Sequence, residues 1–189
     1  MLETYIPRAI KHGAKIITEC HAVKIESRGS RATGVRCEFR DGRTLLVHAD
    51  KIVVACGAIG SSVLLMKSGI GRNVGERFSF NAATPMLARF PHEINGFNGV
   101  QMAAYIDAGD YMLESLFIPP MSFAVTMPGW FEKHFERMKS YNHFSCAGVL
   151  IGTEVNGRVK RSSFMRKLLG PVAYTMKKED LERLKRGMI

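Results

Sequence analysis

No apolar run in this chain of 189 residues approaches the roughly 20 residues that a bilayer-spanning helix needs. Its opening, MLETYIPRAIKHG, lacks the basic-then-apolar order of a secretory leader, which sets a cytoplasmic expectation. The four cysteines (Cys20, Cys37, Cys56 and Cys146) are scattered, with no CxxC pair and no histidine at ligand spacing. That argues against a disulfide framework or a metal site and for buried free thiols. No GxGxxG with an acidic residue about 20 positions later occurs, so the chain carries no complete dinucleotide fingerprint. Internal repeats and low-complexity tracts are also absent.

What is present reads as a soluble, globular chain. Apolar residues make up 46% and mean hydropathy is near zero, enough for one domain with a core, or one domain and part of another. The net charge is +10. The basic residues beyond Lys160 alternate with Glu179, Asp180 and Glu182, as on a solvated helix, and no aromatics interleave them to stack bases. No nucleic-acid partner is expected. Attraction to an anionic substrate or a membrane surface stays open.

The stretch that organises the chain is residues 51–75, KIVVACGAIGSSVLLMKSGIGRNVG. Residues 51–56 are rich in β-branched side chains and predict a strand buried on both faces of a parallel sheet. Residues 57–60 are a small-residue turn that admits close backbone approach. Ser61 and Ser62 offer N-cap hydroxyls to a helix over 62–67, and Gly69 is a natural residue to end it. A buried strand, a glycine turn and a helix N-terminus together present amide N–H groups to an anion or cofactor. Plain packing of strand against helix fits the same residues.

Before this stretch, Thr4 is a candidate cap for a short helix ending at Gly13. Residues 14–27 alternate as a strand, with Ile16, Thr18, Cys20, Ala22 and Lys24 on one face and Ile17, Val23 and Ile25 largely on the other. Residues 32–40 predict a second strand, Asp41-Gly42 a hairpin turn, and residues 44–48 the return. Beyond Phe78 the punctuation changes. Short runs at 84–90, 100–107 and 111–118 predict an antiparallel sheet. A helix is expected near 130–141, with Trp130, Phe131, Phe135 and Met138 forming one stripe. Residues 143–154 predict a strand, and Asn156-Gly157 a hairpin. Thr175 is a candidate cap for a last helix over 176–186, with Leu181 and Leu184 inward.

Residues 57–71, GAIGSSVLLMKSGIG, resemble the second signature of the glucose–methanol–choline (GMC) flavoprotein oxidoreductases at Gly57, Ala58, Ser61, Ser62, Leu64, Leu65, Ser68, Gly69, Ile70 and Gly71. His12-Gly13-Ala14, Val23, Ile25, Gly34-Val35, Asp41-Gly42 and residues 53–58 extend the match. The resemblance is specific over about residues 14–81 and rests on element order beyond. It implies an α/β plus α+β fold: part of a Rossmann-like FAD-binding domain (1–78), then part of an antiparallel-sheet substrate-binding domain (79–189). It further implies an internal piece of a larger flavoenzyme, with the remainder of that chain as partner.

The implied chemistry is hydride transfer from an alcohol carbon to FAD; the chain resembles the long-chain-alcohol branch of the family, because Asn81 stands where many members carry histidine, and that implies an apolar or long-chain alcohol. The resemblance places the catalytic histidine near the C-terminus of the full enzyme, so no catalytic residue is assigned here. Val23 matches the position whose backbone faces the adenine; Ala55, Gly57 and Ala58 match the strand end and turn beside the dinucleotide. Glu114 lies among Tyr111, Met112, Leu113, Leu116, Phe117 and Ile118, either lining the alcohol pocket or exposed on an alternating strand. Phe97, Met102, Met121, Phe123, Met127 and Trp130 either wall that pocket or pack a core. A different class of reading is a self-standing basic α/β domain using residues 57–62 for an anion, without catalysis. A parallel strand without neighbours would expose apolar faces, so poor solubility is expected.

Overall fold

The computed structural model describes residues 2–161 and 163–189. In chain order the elements are α1 (Tyr5–Lys11), β1 (Cys20–Arg28), β2 (Arg31–Phe39), β3 (Thr44–His48), α2 (Gly57–Lys67), β4 (Glu76–Phe78), β5 (Asn81–Arg89), β6 (Tyr105–Asp107), β7 (Met112–Leu116), α3 (Pro120–Thr126), α4 (Phe131–Lys139), β8 (Phe144–Gly152), β9 (Gly157–Val159), α5 (Ser163–Leu169), β10 (Val172–Ala173) and α6 (Lys178–Gly187). They form two units: Met1–Glu76 with Arg158–Ala173, and Arg77–Gly157 with Tyr174–Ile189. The segment Arg158–Ala173, expected in the second domain, belongs to the first unit.

The first unit is an antiparallel meander, β1-β2-β3, with α2 against β1. The hairpin at Asp41-Gly42 is as expected: Gly42 adopts φ +84, and its N–H donates to the Phe39 carbonyl at 3.1 Å. Ile25 of β1, Cys37 of β2 and Leu64 of α2 are buried. β9 pairs antiparallel with β10, and the Val159 N–H donates to Gly75 O at 2.6 Å.

Two expected strand stretches do not pair. Residues 14–19 precede the first ladder partner, Cys20, leaving Ile16 and Ile17 each 51% exposed. Residues 51–56 form no strand, and Val53 is 87% exposed. The apolar, β-branched pattern reports what the backbone favours. A strand exists only where another strand completes its hydrogen bonds, and none of the described strands does so here.

The second unit is a four-stranded antiparallel sheet in the order β5-β8-β7-β6. β8 is its centre: Val149 is fully buried and Ile151 is 3% exposed. Of the run expected over 100–107 only Tyr105–Asp107 is strand. β9 does not return on β8 as an Asn156-Gly157 hairpin would. Gly157 is there for clearance, since a Cβ would come within 2.9 Å of the Phe78 carbonyl and the Tyr174 ring, and Asn156 donates through Nδ2 to Thr175 O at 2.8 Å.

α6 packs on β8. Its cap is Lys177 rather than Thr175, and Leu181 is exposed while Asp180 and Gly187 are buried. A methyl at Gly187 would collide with Val149 Cγ1 and lie 3.0 Å from the Tyr111 ring. Gly187→Ala is therefore expected to destabilise by about 1–3 kcal/mol through overpacking, seen as a lower urea midpoint at unchanged slope.

Candidate functional site

Four residues were singled out for cofactor contact, and the first unit places them on two features. One is a β-bulge. Ala22 pairs with Cys37 and Lys24 with Arg36, so the register skips Val23. An unpaired bulge residue leaves backbone polar groups free for another partner, which alternation in the sequence could not show. The bulge also changes which side chains share a face. Cys20, Ala22 and Ile25 lie opposite Phe39, Cys37 and Val35, so Lys24 leaves the face on which alternation had put it with Cys20 and Ala22.

The other feature is the start of α2. The helix begins at Gly57, not at Ser62, so residues 57–60 are its first turn. Gly57 adopts φ +74 with open space where a Cβ would stand, a conformation that only glycine takes without strain. The serines do not cap in the expected way. Ser61 Oγ accepts from the Cys56 N–H at 3.1 Å, and Ser62 Oγ donates to Ala58 O at 2.8 Å. The first-turn N–H groups of a helix have no intrahelical acceptor, and Ala55, Gly57 and Ala58 are exposed beside them.

The helix terminates as its sequence predicts. Gly69, at φ +72, donates to Met66 O at 3.3 Å, and Ile70 donates to Leu65 O at 3.0 Å, the two bonds of a Schellman ending. Ser68 then ties the helix to the sheet: its Oγ accepts from the Ile25 N–H at 2.8 Å and donates to Leu64 O at 2.7 Å. The signature serine is thus a link between α2 and β1, two residues along from the bulge. Gly57 and Ala58 lie at the opposite end of α2, roughly 16 Å from Ser68 at 1.5 Å per residue. The candidates suit an extended ligand rather than a compact one. An open cleft of about 650 Å³ lined by Arg28, Arg31, Thr33, His48 and Asp50 includes none of them.

In the second unit the apolar candidates separate. Phe123 and Met127 are core, at 2% and 6% exposure. Phe97 stacks on Tyr141 at 5.3 Å, and Phe123 meets Tyr141 edge-on at 5.0 Å. The space left among them is about 10 Å³, at the limit for a single water. Burial holds the Tyr141 hydroxyl's pKa above its ordinary value, and the hydroxyl donates to Ile118 O at 2.7 Å.

Met102, Met121 and Trp130 are instead exposed, and so are Phe131 and Phe135 of the expected inward stripe. Val125, Met127, Trp130, Phe131 and His134 line an open cleft of about 660 Å³ at the turn between α3 and α4. Glu114 is half-buried on β7, opposite Tyr105 and Gly148, and lines none of these clefts. Asn81 begins β5, exposed and opposite Gly152. Among the described residues no helix is long and apolar enough to cross a membrane, and no group of three or more His, Cys, Asp or Glu could hold a metal ion.

Two solved oxidases share this arrangement of elements. A formate oxidase of Aspergillus oryzae RIB40, studied for FAD modification, superposes with a TM-score of 0.58 over 92% of this chain and 42% of that one, at 13% identity. A pyridoxine 4-oxidase of Mesorbium loti gives 0.56 over 88% and 36%, at 16% identity. The fold is that of a mixed α/β part of such an enzyme. The family model described as GMC oxidoreductase matches residues 1–83. An uncharacterized GMC-type oxidoreductase of Mycobacterium tuberculosis is 32% identical over 131 residues, covering 66% of this chain. A long-chain-alcohol oxidase of Arabidopsis thaliana is 25% identical over 214 residues, covering 98% of this chain and 28% of its own. The chain belongs to the GMC oxidoreductase family. It spans about a fifth (21%) of the length of the mycobacterial relative.

Proposed function

We propose that this chain contributes one part of the cofactor face and one part of the substrate side of an FAD-dependent oxidoreductase acting on the CH–OH group of an apolar alcohol. The observation that carries the reading is the bulge at Val23, a residue with no register partner on the strand that Ser68 ties to α2. Val23 would meet the adenine through its backbone, and Ala55, Gly57 and Ala58 would lie along the dinucleotide, close approach being possible because no side chain larger than a methyl stands there. FAD, when bound, accepts the hydride from the alcohol carbon. The exposed Trp130 and Phe131 side chains lining the cleft between α3 and α4 and the similarity to a long-chain-alcohol oxidase support an apolar substrate.

By itself the 189-residue chain is expected not to turn over alcohols, because neither a GxGxxG loop nor a residue matching the catalytic histidine is in its sequence. FAD titration of this chain and of a protein extended along the source reading frame checks the proposal. Binding by the extended protein and none by the short chain is the expected result. Gly57→Val in the extended protein is expected to weaken FAD binding by about tenfold or more, because valine resists positive φ. A melting curve separates that effect from unfolding. An extended protein that binds phosphate but not FAD would instead favour a simple anion-binding domain built on residues 57–62.

A further inference from the structure

We propose that Cys20 and Cys37 are a redox-switched thiol pair, closed by a peroxide into a disulfide that clamps β1 to β2 beside the Val23 bulge and reopened by a dithiol. This inference stands independently of the cofactor reading. In the β1–β2 ladder Cys20 faces Phe39 and Ala22 faces Cys37. The two cysteines are therefore diagonal neighbours on one face of the sheet. After burial, the neighbouring Cys20 thiol is what raises the Cys37 thiol pKa, as a second thiol on the same face would. No comparable thiol partner exists for the other two cysteines among the described residues: Cys56 is exposed near α2, and Cys146 is buried in β8 of the second unit.

Diagonal Cα atoms are about 7–8 Å apart, somewhat beyond the roughly 5.5–6 Å of a relaxed disulfide. The closing movement falls where the ladder is already irregular. The register shift between Ala22 and Lys24 puts an extra residue, Val23, beside the pair, where the ladder is locally disrupted and can yield. Access differs between the two sulfurs. Cys37 is 9% exposed, and burial first, then the Cys20 contact, raises its thiol pKa; Cys20 is partly exposed. Cys20 is accordingly the sulfur that meets the oxidant, and Cys37 the one that resolves it.

The step balances. The Cys20 thiolate attacks one peroxide oxygen, the O–O bond breaks, and the departing hydroxide takes a proton to leave as water. The Cys37 sulfur then attacks the sulfenic sulfur, the S–O bond breaks, and the second hydroxide leaves as water with the Cys37 proton. Two thiols lose two electrons and hydrogen peroxide is reduced to two waters.

The test uses the whole 189-residue chain, freed of reductant, given one equivalent of hydrogen peroxide, blocked with N-ethylmaleimide and digested. Two of the four thiols should be lost, one cross-linked peptide pair should hold Cys20 and Cys37, and dithiothreitol should restore both. Cys20→Ser should keep its three remaining thiols under the same treatment. The native chain should close at least about tenfold faster than the same chain in guanidinium, since the fold supplies the proximity. Separate alkylation of Cys20 and Cys37, a cross-link from either to Cys56, or equal rates in native and denatured chain would overturn the proposal.

Discussion

Replacing Asp180 by alanine is expected to destabilise the second unit by about 3–5 kcal/mol, the cost of breaking a buried charge pair and leaving one partner behind. Against a typical net stability of about 5–15 kcal/mol, such a loss leaves little margin. Asp180 is fully buried at the start of α6, and its carboxylate gathers three parts of the unit. It accepts from the Glu154 N–H at 3.2 Å after β8, from the Tyr174 hydroxyl at 3.1 Å and from the Lys177 N–H at 3.4 Å. Arg183, one turn along, donates to it at 2.5 Å.

Burial pushes the Asp180 carboxyl pKa up, but the Arg183 guanidinium and the hydrogen bonds from Glu154, Tyr174 and Lys177 outweigh it, and the net direction is down. A carboxyl with a lowered folded-state pKa contributes stability that is present above its unfolded value and lost as pH falls through the folded one. The wild-type chain should therefore lose stability on acidification below the ordinary carboxylate range. Asp180→Asn keeps the shape but not the charge, so its deficit relative to wild type should shrink across that window. Urea unfolding of both proteins over a series of acidic pH values is the measurement. A deficit that does not change with pH would show that shape, and not charge, is what Asp180 supplies.

The second large effect is expected at Phe123. Its ring is 2% exposed and meets Tyr141 at 5.0 Å and Phe144 at 5.5 Å. Phe123→Ala should cost about 3–5 kcal/mol, the sum of lost transfer energy and a cavity that its neighbours cannot fill. The spread within that range depends on how far Phe97 and Tyr141 can collapse. Phe123→Leu, which keeps most of the volume, should recover much of the loss. Near-UV circular dichroism of the Tyr141 environment, followed through denaturation, would report both. If Phe123→Ala matched an exposed-site control such as Met121→Ala, whose side chain is 85% exposed, the reading of this cluster as core would fail.

Much of the local structure was legible. Asp41-Gly42, the Gly69 ending of α2 and the strands around 31–39 and 44–48 each depend on a few adjacent residues, and the pattern marks them directly. The family signature was legible for the same reason: its positions are contiguous. The site itself was only partly so. Val23 was proposed by resemblance, and the bulge at that position interrupts an alternation that reads as regular. The role of Ser68 at the far end of the helix could not be read, because its partner is Ile25, 43 positions away. Asp180 was read as one charge on a solvated face. An acidic residue three places after the cap is the signal that could have found it.

Two misreadings share one cause. Residues 51–56 carry the composition of a buried strand, and Trp130, Phe131 and Phe135 carry the spacing of a packed stripe, yet Val53, Trp130 and Phe131 are all more than four-fifths exposed. Periodicity states which residues share a face; it does not state what that face meets. The sequence by itself determined the turns, the helix endings and the family of this chain, because those reside in short stretches of backbone preference and residue identity. The tertiary structure alone decided the ladder register at Val23, the pairing or isolation of each strand and the burial of Asp180. Each of those is a bond or contact between groups far apart along the chain, and its energy exists only once both partners are in place.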